Sequence, residues 1–545
     1  MKPVDLGELE DPVSIQTDLC IVGSGPAGSS IAKEFAGSMI QVLVIEGGGT
    51  EESTADQALY TVENVGAIRA PQEGVRNRVV GGSSHGWSGR CTSFDEIDFE
   101  SRAWVPNSGW PITFEEVRPF SDRSRAHLGL GPNVYDDHLW KKLGISPPYP
   151  QIDPACLKSQ FWQYSTDQHN AFGPTRFSRT LAAIDASNVR LLIHANVTQI
   201  NTSMDVTGIV SLDVRTLEGK RAEVKARVVV LACGGLENAR LLLASNKIAL
   251  NGIGNSHDLV GRFLMDHPGC KLGWFDPNRA FPIQDRFGSY YLDHESGRNA
   301  YEFGLAINDE LQRKEQLLNC AAFLGILGSP DDPSGAAKRL ISNVKLLSAE
   351  TPRSWGAQAG KDISILTTNF PRLLRNAYRR FAKLRGAIVK AEELYLYCLV
   401  EQIPNPSSRV TLGERTDALG MPILRIDWRI GEIERRSVVR FNELIGSELR
   451  RVGLPKYTPN SHLSDDFDWR SNFVDRAHPS GTTRMADSPR LGVVDRNCKV
   501  HGVAGLYIAG SSVFPTIGHA NPTLMIVAMA IRLADWLKRH EFANA

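Results

Sequence analysis

The sequence predicts an α/β protein built around a dinucleotide-binding unit, and three observations carry that reading. A short apolar run, residues 19–22, leads at once into a glycine-rich turn, a stretch suited to a helix and a second apolar run. Another buried-type run, 228–233, ends in the pair Gly234-Gly235 before a further helical stretch. The chain has 545 residues, too many for one small core, so two domains or one large domain with a second woven through it is expected.

The elements follow in order. Residues 17–47 read TDLCIVGSGPAGSSIAKEFAGSMIQVLVIEG. Residues 19–22 suit a short buried strand, 29–35 a helix and 42–45 a second, parallel strand, which together make a βαβ unit. Residues 100–125 are turn-rich in composition. Residues 186–246 are strand-rich, with short strands at 189–193 and 197–200, the run 228–233 and a helix over 236–244. Residues 329–336, SPDDPSGA, predict an exposed loop.

Residues 371–388 suit a basic amphipathic helix. Leu374, Tyr378, Phe381, Leu384 and Ile388 form one stripe, and Arg372, Arg375, Arg379, Arg380, Lys383 and Arg385 crowd the rest. Such a helix is ordinarily a solvated face over a domain core; the alternative is a docking surface for a membrane or a partner. The C-terminal stretch is dense in glycine and polar residues up to Asn521, then suits a helix over 523–537.

Composition narrows the function. The chain is 42% hydrophobic and 22% charged, ordinary for a globular protein. Lys plus Arg equals Asp plus Glu at 61 each, so nothing points to nucleic acid as a partner. Eight cysteines lack the spacing of a zinc ribbon or redox pair, so buried reduced thiols and no metal are expected. The N-terminal residues lack the apolar core of a secretion signal, and no apolar run approaches the length of a membrane span. A cytoplasmic enzyme without a membrane span is the expectation.

The motifs carry chemistry. Gly23-Ser24-Gly25-Pro26-Ala27-Gly28 fits G-x-G-x-x-G. The first glycine tightens the turn, the second lets the backbone approach a pyrophosphate, and the third permits close helix–strand packing. The helix N-terminus offers free N–H groups to phosphate. Glu46, followed by Gly47, stands at the end of the next strand, where a carboxylate can accept from ribose hydroxyls. This unit does not choose between NAD and FAD. Residues 78–91, RVVGGSSHGWSGRC, add a second glycine-rich segment that could line a flavin or be an ordinary tight turn. Residues 478–485 read HPSGTTRM, and 505–525 read GLYIAGSSVFPTIGHANPTLM. There His519, Asn521 and Thr523 follow Gly510 and open a helix, whose N-terminus favours negative charge developing beside it.

In these residues the chain resembles the glucose–methanol–choline oxidoreductase family. The resemblance rests on Gly23 to Gly28 with Glu46, on GGSS at 81–84, and on NVRLLIHANVT at 188–198. LACGGLENARLLLASN at 231–246, VGRFLMDHP at 260–268, EQIPNPSSRVTL at 401–412 and the last 60 residues also fit. The interval 270–390 is not covered.

The resemblance implies a Rossmann-like FAD-binding domain (1–125, 186–268 and 478–545) interwoven with an α+β substrate-binding domain on an antiparallel sheet (126–185 and 269–477). It implies FAD held by the first glycine motif with Glu46 and Gly47, by Gly82, Ser83, Gly86, Trp87 and Ser88, and by Val197, Ala232 and Gly234. Gly510, Ser511, Asn521, Pro522 and Thr523 complete the set. His478 of the H-x-x-G-T motif takes the place of the catalytic base, and Asn521 that of its partner. Asn in HANPTL resembles the pyranose oxidase and bacterial glycoside 3-oxidase branch. Where pyranose 2-oxidases join FAD to the histidine of T-H-W, this chain has Ser84-His85-Gly86-Trp87, so non-covalent FAD is expected. The implied reaction is oxidation of a sugar or glycoside at C2 or C3, with oxygen or another acceptor reoxidising the flavin. A polyol or other alcohol is the alternative substrate, and a hydroxynitrile-lyase-like enzyme the alternative of another class. Glu401, Gln402 and His519 are candidate substrate contacts.

Overall fold

The strand Val13–Val22 shows how the first sheet is built. Its outer half alternates, with Val13 and Ile15 half-buried and Ser14 and Gln16 exposed; its last four residues are buried on both faces, as a central parallel strand requires. The computed structural model describes residues 1–543 apart from 68, 70–73, 168–172, 296, 346–354 and 464–467. Among these residues the chain forms two large sheets and one small one.

The first sheet runs in the order Val4–Asp5, Val189–Ile193, Val42–Ile45, Val13–Val22, Arg221–Leu231, Ile209–Arg215, Asn196–Thr202. The first five strands are parallel, and Leu506–Ile508 adds a sixth beside the end of Arg221–Leu231. Four carboxyl ends therefore open on one edge, leading into Gly23, Glu46, Cys233 and Gly510. In open α/β sheets this edge is where ligands bind.

The second sheet is antiparallel throughout. Its order is Tyr457–Pro459, Gly269–Phe275, Ala391–Val400, Cys320–Gly328, Gly297–Ile307, Leu157–Tyr164, Arg90–Cys91, with Ser289–His294 on Gly297–Ile307. The small sheet joins Arg409–Thr416, Pro422–Asp427 and Val62–Asn64. Residues 1–125 thus contribute strands to all three sheets. One continuous apolar core runs beneath both large sheets. The helix Thr523–His540 buries Met525, Ala528 and Leu537 and packs on the helices Pro26–Phe35 and Phe114–Leu128.

Strand Val42–Ile45 lies where the sequence places it, and the helix after Gly25 begins at Pro26, three residues before the sequence-based start. Three expectations are corrected. The turn-rich stretch 100–125 gives way to the helix Phe114–Leu128, started by a capping box in which Thr113 Oγ1 accepts from Glu116 N and Glu116 Oε2 accepts from Thr113 N. The loop 329–336 is exposed only at its start: the helix Pro333–Lys345 begins inside it. Asp332 is buried and accepts from Gly335 N and Lys390 N, which caps that helix. The basic helix spans Phe370–Ala382 and stops short of Leu384, whose φ is +51°, and of buried Ile388. Its apolar residues Leu374, Tyr378 and Phe381 face solvent, so the stripe does not cover a core.

All eight cysteines are unpaired; six are buried, and Cys156 and Cys233 are half-buried. Among the described residues, no helix is long and apolar enough to cross a membrane.

Candidate active site

The glycine turn has the shape its spacing predicts. Gly23 has φ +104°, and a Cβ there would meet Ala232 O at 2.5 Å. A Cβ at Gly28 would lie 1.9 Å from Gly23 O, so this glycine serves helix–strand contact. A Cβ at Gly25 would meet nothing within 4 Å, because that face looks into a cavity. The second glycine segment lies against the first: Gly81 and Gly82 both have positive φ, and a Cβ at Gly82 would stand 3.0 Å from Gly25 Cα. Ser24 Oγ joins them, accepting from Gly81 N at 2.9 Å and donating to Glu46 Oε2 at 2.6 Å. Glu46 also accepts from Ser24 N and Gly48 N, which leaves its carboxylate little spare capacity at the cavity wall.

The cavity encloses about 610 Å³ and runs from this turn to the antiparallel sheet. Every predicted FAD-contacting residue lines it except Gly28, and so do His478 and Asn521. Tyr60, Arg76, Arg78, Glu237 and Arg240 line it too and were not read from the sequence. Arg76 stacks 4.0 Å over the Tyr60 ring and pairs with Glu237 at 2.5 Å. The run Arg76-Asn77-Arg78, just before the second glycine segment, was the available signal: two cations near a pyrophosphate motif. The second sheet supplies Tyr164, Phe323 and Leu399, and Arg90 lies over Phe323 while bonding Tyr164 and Glu302.

His478 is half-buried in this wall, and a second histidine fixes its chemistry. His267 Nε2 lies 3.1 Å from Gly518 O, and His267 Nδ1 lies 3.0 Å from His478 Nδ1. A carbonyl only accepts, so His267 carries its proton on Nε2 and presents a bare Nδ1. His478 must then donate from Nδ1, which leaves the lone pair on its Nε2. Burial and then His267 push the His478 pKa down to about 3, against the pull of Asp266; burial also lowers His267. Both rings are neutral near pH 7.

Asp266 holds this pair in place. Its oxygens accept from His267 N, Arg476 N, His478 N and Arg69 Nη2. Burial opposes its charge, but Arg69 and the backbone N–H of His478 help hold the carboxyl low. Ligand atoms of Asp266, His267 and His478 lie within 4.8 Å of one another, yet the carboxylate is already saturated by N–H donors. Asn521 stands one residue before the cap of the helix Thr523–His540, and its Oδ1 is buried without a hydrogen-bond partner among the described residues.

Three candidate substrate contacts are corrected. Glu401 is fully buried, grips Arg102 with both oxygens and accepts from Asn319 N. Gln402 is fully buried; its Oε1 accepts from Asp266 N and Trp428 Nε1, and its Nε2 donates to Arg429 O. His519 is fully buried against the Trp162 ring, 3.8 Å from Asp95. None of the three lines the cavity. His85 turns away as well, its Nε2 2.9 Å from Val80 O.

The open face of Gly25, the cations beside it and the Asn521 Oδ1 left without a partner among the described residues fit an elongated diphosphate cofactor with a polar ring edge. Two GMC oxidoreductase family models match, one over residues 174–269 and one over 404–530. This chain belongs to the GMC oxidoreductase family.

The 2-methyl-1,2-propanediol dehydrogenase of Mycolicibacterium austroafricanum is 23% identical over 96% of this chain and 95% of its own. The C-glycoside 3-oxidase of Arthrobacter globiformis is 32% identical over 126 residues, 21% of this chain. The crystal structure of pyridoxine 4-oxidase from Mesorbium loti shares the fold, with TM-score 0.57, 18% identity, and coverage of 96% of this chain and 99% of that one. This GMC oxidoreductase is an FAD enzyme acting on alcohol groups.

Proposed function

We propose that this enzyme oxidises a secondary hydroxyl of a sugar or glycoside, at C2 or C3, to a ketone. The observation that carries the reading is the neutral His478, its Nε2 lone pair set by His267, sharing a cavity with Asn521. When bound, FAD supplies the two-electron acceptor. His478 Nε2 takes the proton of the substrate hydroxyl, and the Asn521 amide holds the same oxygen. General-base help of this kind is worth about 10²–10⁴-fold. Arg90, Tyr164 and Arg476 give the second-sheet wall the polar groups a polyhydroxylated substrate needs. The likeness to a C-glycoside 3-oxidase supports the sugar class.

FAD is held without a covalent bond on this reading, because Gly86 has no side chain to bond and the His85 ring is tied to Val80. The division of labour follows the sheets: the parallel sheet carries the cofactor and the antiparallel sheet faces the substrate.

Anaerobic mixing of the FAD-loaded protein with sugars, glycosides, polyols and simple alcohols tests the reading. Bleaching of the flavin by a sugar or glycoside is the expected result. Bleaching by polyols or simple alcohols alone would overturn the sugar class, and the propanediol dehydrogenase likeness makes that the first alternative to check. Turnover of a cyanohydrin without bleaching would indicate a lyase.

A further inference from the structure

We propose that the helix Phe370–Ala382 docks this enzyme onto an anionic phospholipid surface. Phe370, Leu374, Tyr378 and Phe381 are spaced by four, four and three residues on one face, and are 56%, 56%, 57% and 73% exposed. Phe281, 48% exposed on the neighbouring helix, extends the patch; the Arg375 guanidinium lies 5.9 Å from its ring. A surface helix normally turns its apolar stripe to the core. Here the inward contacts are polar: Arg379 pairs with Asp285 at 2.7 Å, and Asn376 bonds the backbone of Ile388. Contiguous exposed apolar surface of this kind marks an interaction site.

Charge selects the occupant. Residues 370–385 hold six cations and no carboxylate, in a chain whose formal net charge is zero. Among the described residues, Arg372, Arg375, Arg380 and Lys383 have no carboxylate partner. A second copy would set this cationic face against its own like. An acidic protein would answer the cations and leave the aromatic stripe in water. A lipid surface meets both demands: the acyl boundary takes Leu374 and Phe381 while anionic headgroups take the arginines and lysine. The helix would lie flat, so no spanning segment is needed.

Flotation of the FAD-loaded enzyme with vesicles tests this, following flavin absorbance. Vesicles of phosphatidylglycerol with phosphatidylcholine are expected to carry the enzyme up at low salt, pure phosphatidylcholine not, and added salt to release it. Leu374→Glu with Phe381→Glu should abolish flotation, and Arg375→Gln or Lys383→Gln should each weaken partition about five-fold. These side chains are at least partly exposed and lie outside the cavity, so flavin content and activity on dissolved substrate should be unchanged. No flotation at low salt, or flotation untouched by the double glutamate variant, would overturn the proposal. A concentration-dependent dimer lost in that variant would assign the face to a second copy instead.

Discussion

A histidine serves as a base only if it is neutral with a free lone pair, and in the proposed reaction His478 gains both through residues far away in the chain. His267, 211 positions earlier, sets the tautomer, and Asp266 sets the ring's position. With the pKa held at about 3, His478 stays neutral well below the ordinary histidine range. Flavin reduction in stopped flow should therefore not fall between pH 8 and about pH 5 through protonation of this base, although an unperturbed histidine, at about 6.5, would lose its function there. A rate that drops with an apparent pKa near 6.5 would contradict the assignment. His478→Ala should retain FAD and slow reduction by about 10²–10⁴-fold. His267→Phe should slow it less, because the base remains while its tautomer is no longer fixed. The sequence pointed to His478 and Asn521 through small-residue surroundings and family resemblance. It could not point to His267, since that role exists only once the chain brings the two rings together. Glu401 and Gln402 misled for a related reason: polar residues beside a motif can be buried and satisfied, and burial is not written in the local sequence.

The βαβ unit was legible because strands buried on both faces read as unbroken apolar runs, whereas the antiparallel sheet was hidden. Its strand Ala391–Val400 alternates buried with half-buried or exposed positions over much of its length, and Cys320–Gly328, CAAFLGILG, is a short run without polar residues that periodicity alone does not separate from a buried helix segment. The helix Phe114–Leu128 did carry a signal, the Thr113–Glu116 capping box, beneath a turn-rich composition. At this scale the second and third glycines of the motif make separable predictions. Gly25 has an ordinary φ of −67° and an open Cβ direction, so Gly25→Ala should fold and lose FAD, the methyl group standing in the pyrophosphate space. Gly28→Ala places a methyl group 1.9 Å from Gly23 O, so strand and helix must separate. It should yield little folded protein with or without added FAD. Soluble yield, circular dichroism and flavin retention distinguish the two. A folded, FAD-replete Gly25→Ala protein would mean that the cofactor's phosphates do not approach this turn.

Across the whole molecule, the junction between the sheets is a place where neutral histidines are stored. Burial lowers His519 to about 4 and His478 to about 3, and lowers His267 as well, while each charges near 6.5 in the unfolded chain. The unfolded state therefore binds more protons as pH falls from about 6.5 toward 4, and these groups cost stability across that window. Each contributes at most about 1.4 kcal/mol per pH unit. Glu434 works in the opposite sense: burial lifts its carboxyl to about 7, so the folded state gains a proton as pH falls from there to the ordinary carboxylate range, and stability rises. The wild-type profile sums these opposing contributions, so a difference between two proteins is more informative than either curve alone. His519→Gln keeps Glu434 and the His267–His478 pair and removes one buried imidazole that has no hydrogen-bond partner among the described residues. Its thermal midpoint relative to wild type should rise steadily as pH is lowered from 7 to about 4.5, by the equivalent of about 1.4 kcal/mol per unit once below 6.5. A pH-independent offset would mean that His519 charges inside the folded protein, paired with Asp95 across their 3.8 Å separation. In that case the segment joining Asp95 to the cavity wall would be held by an ion pair rather than by packing.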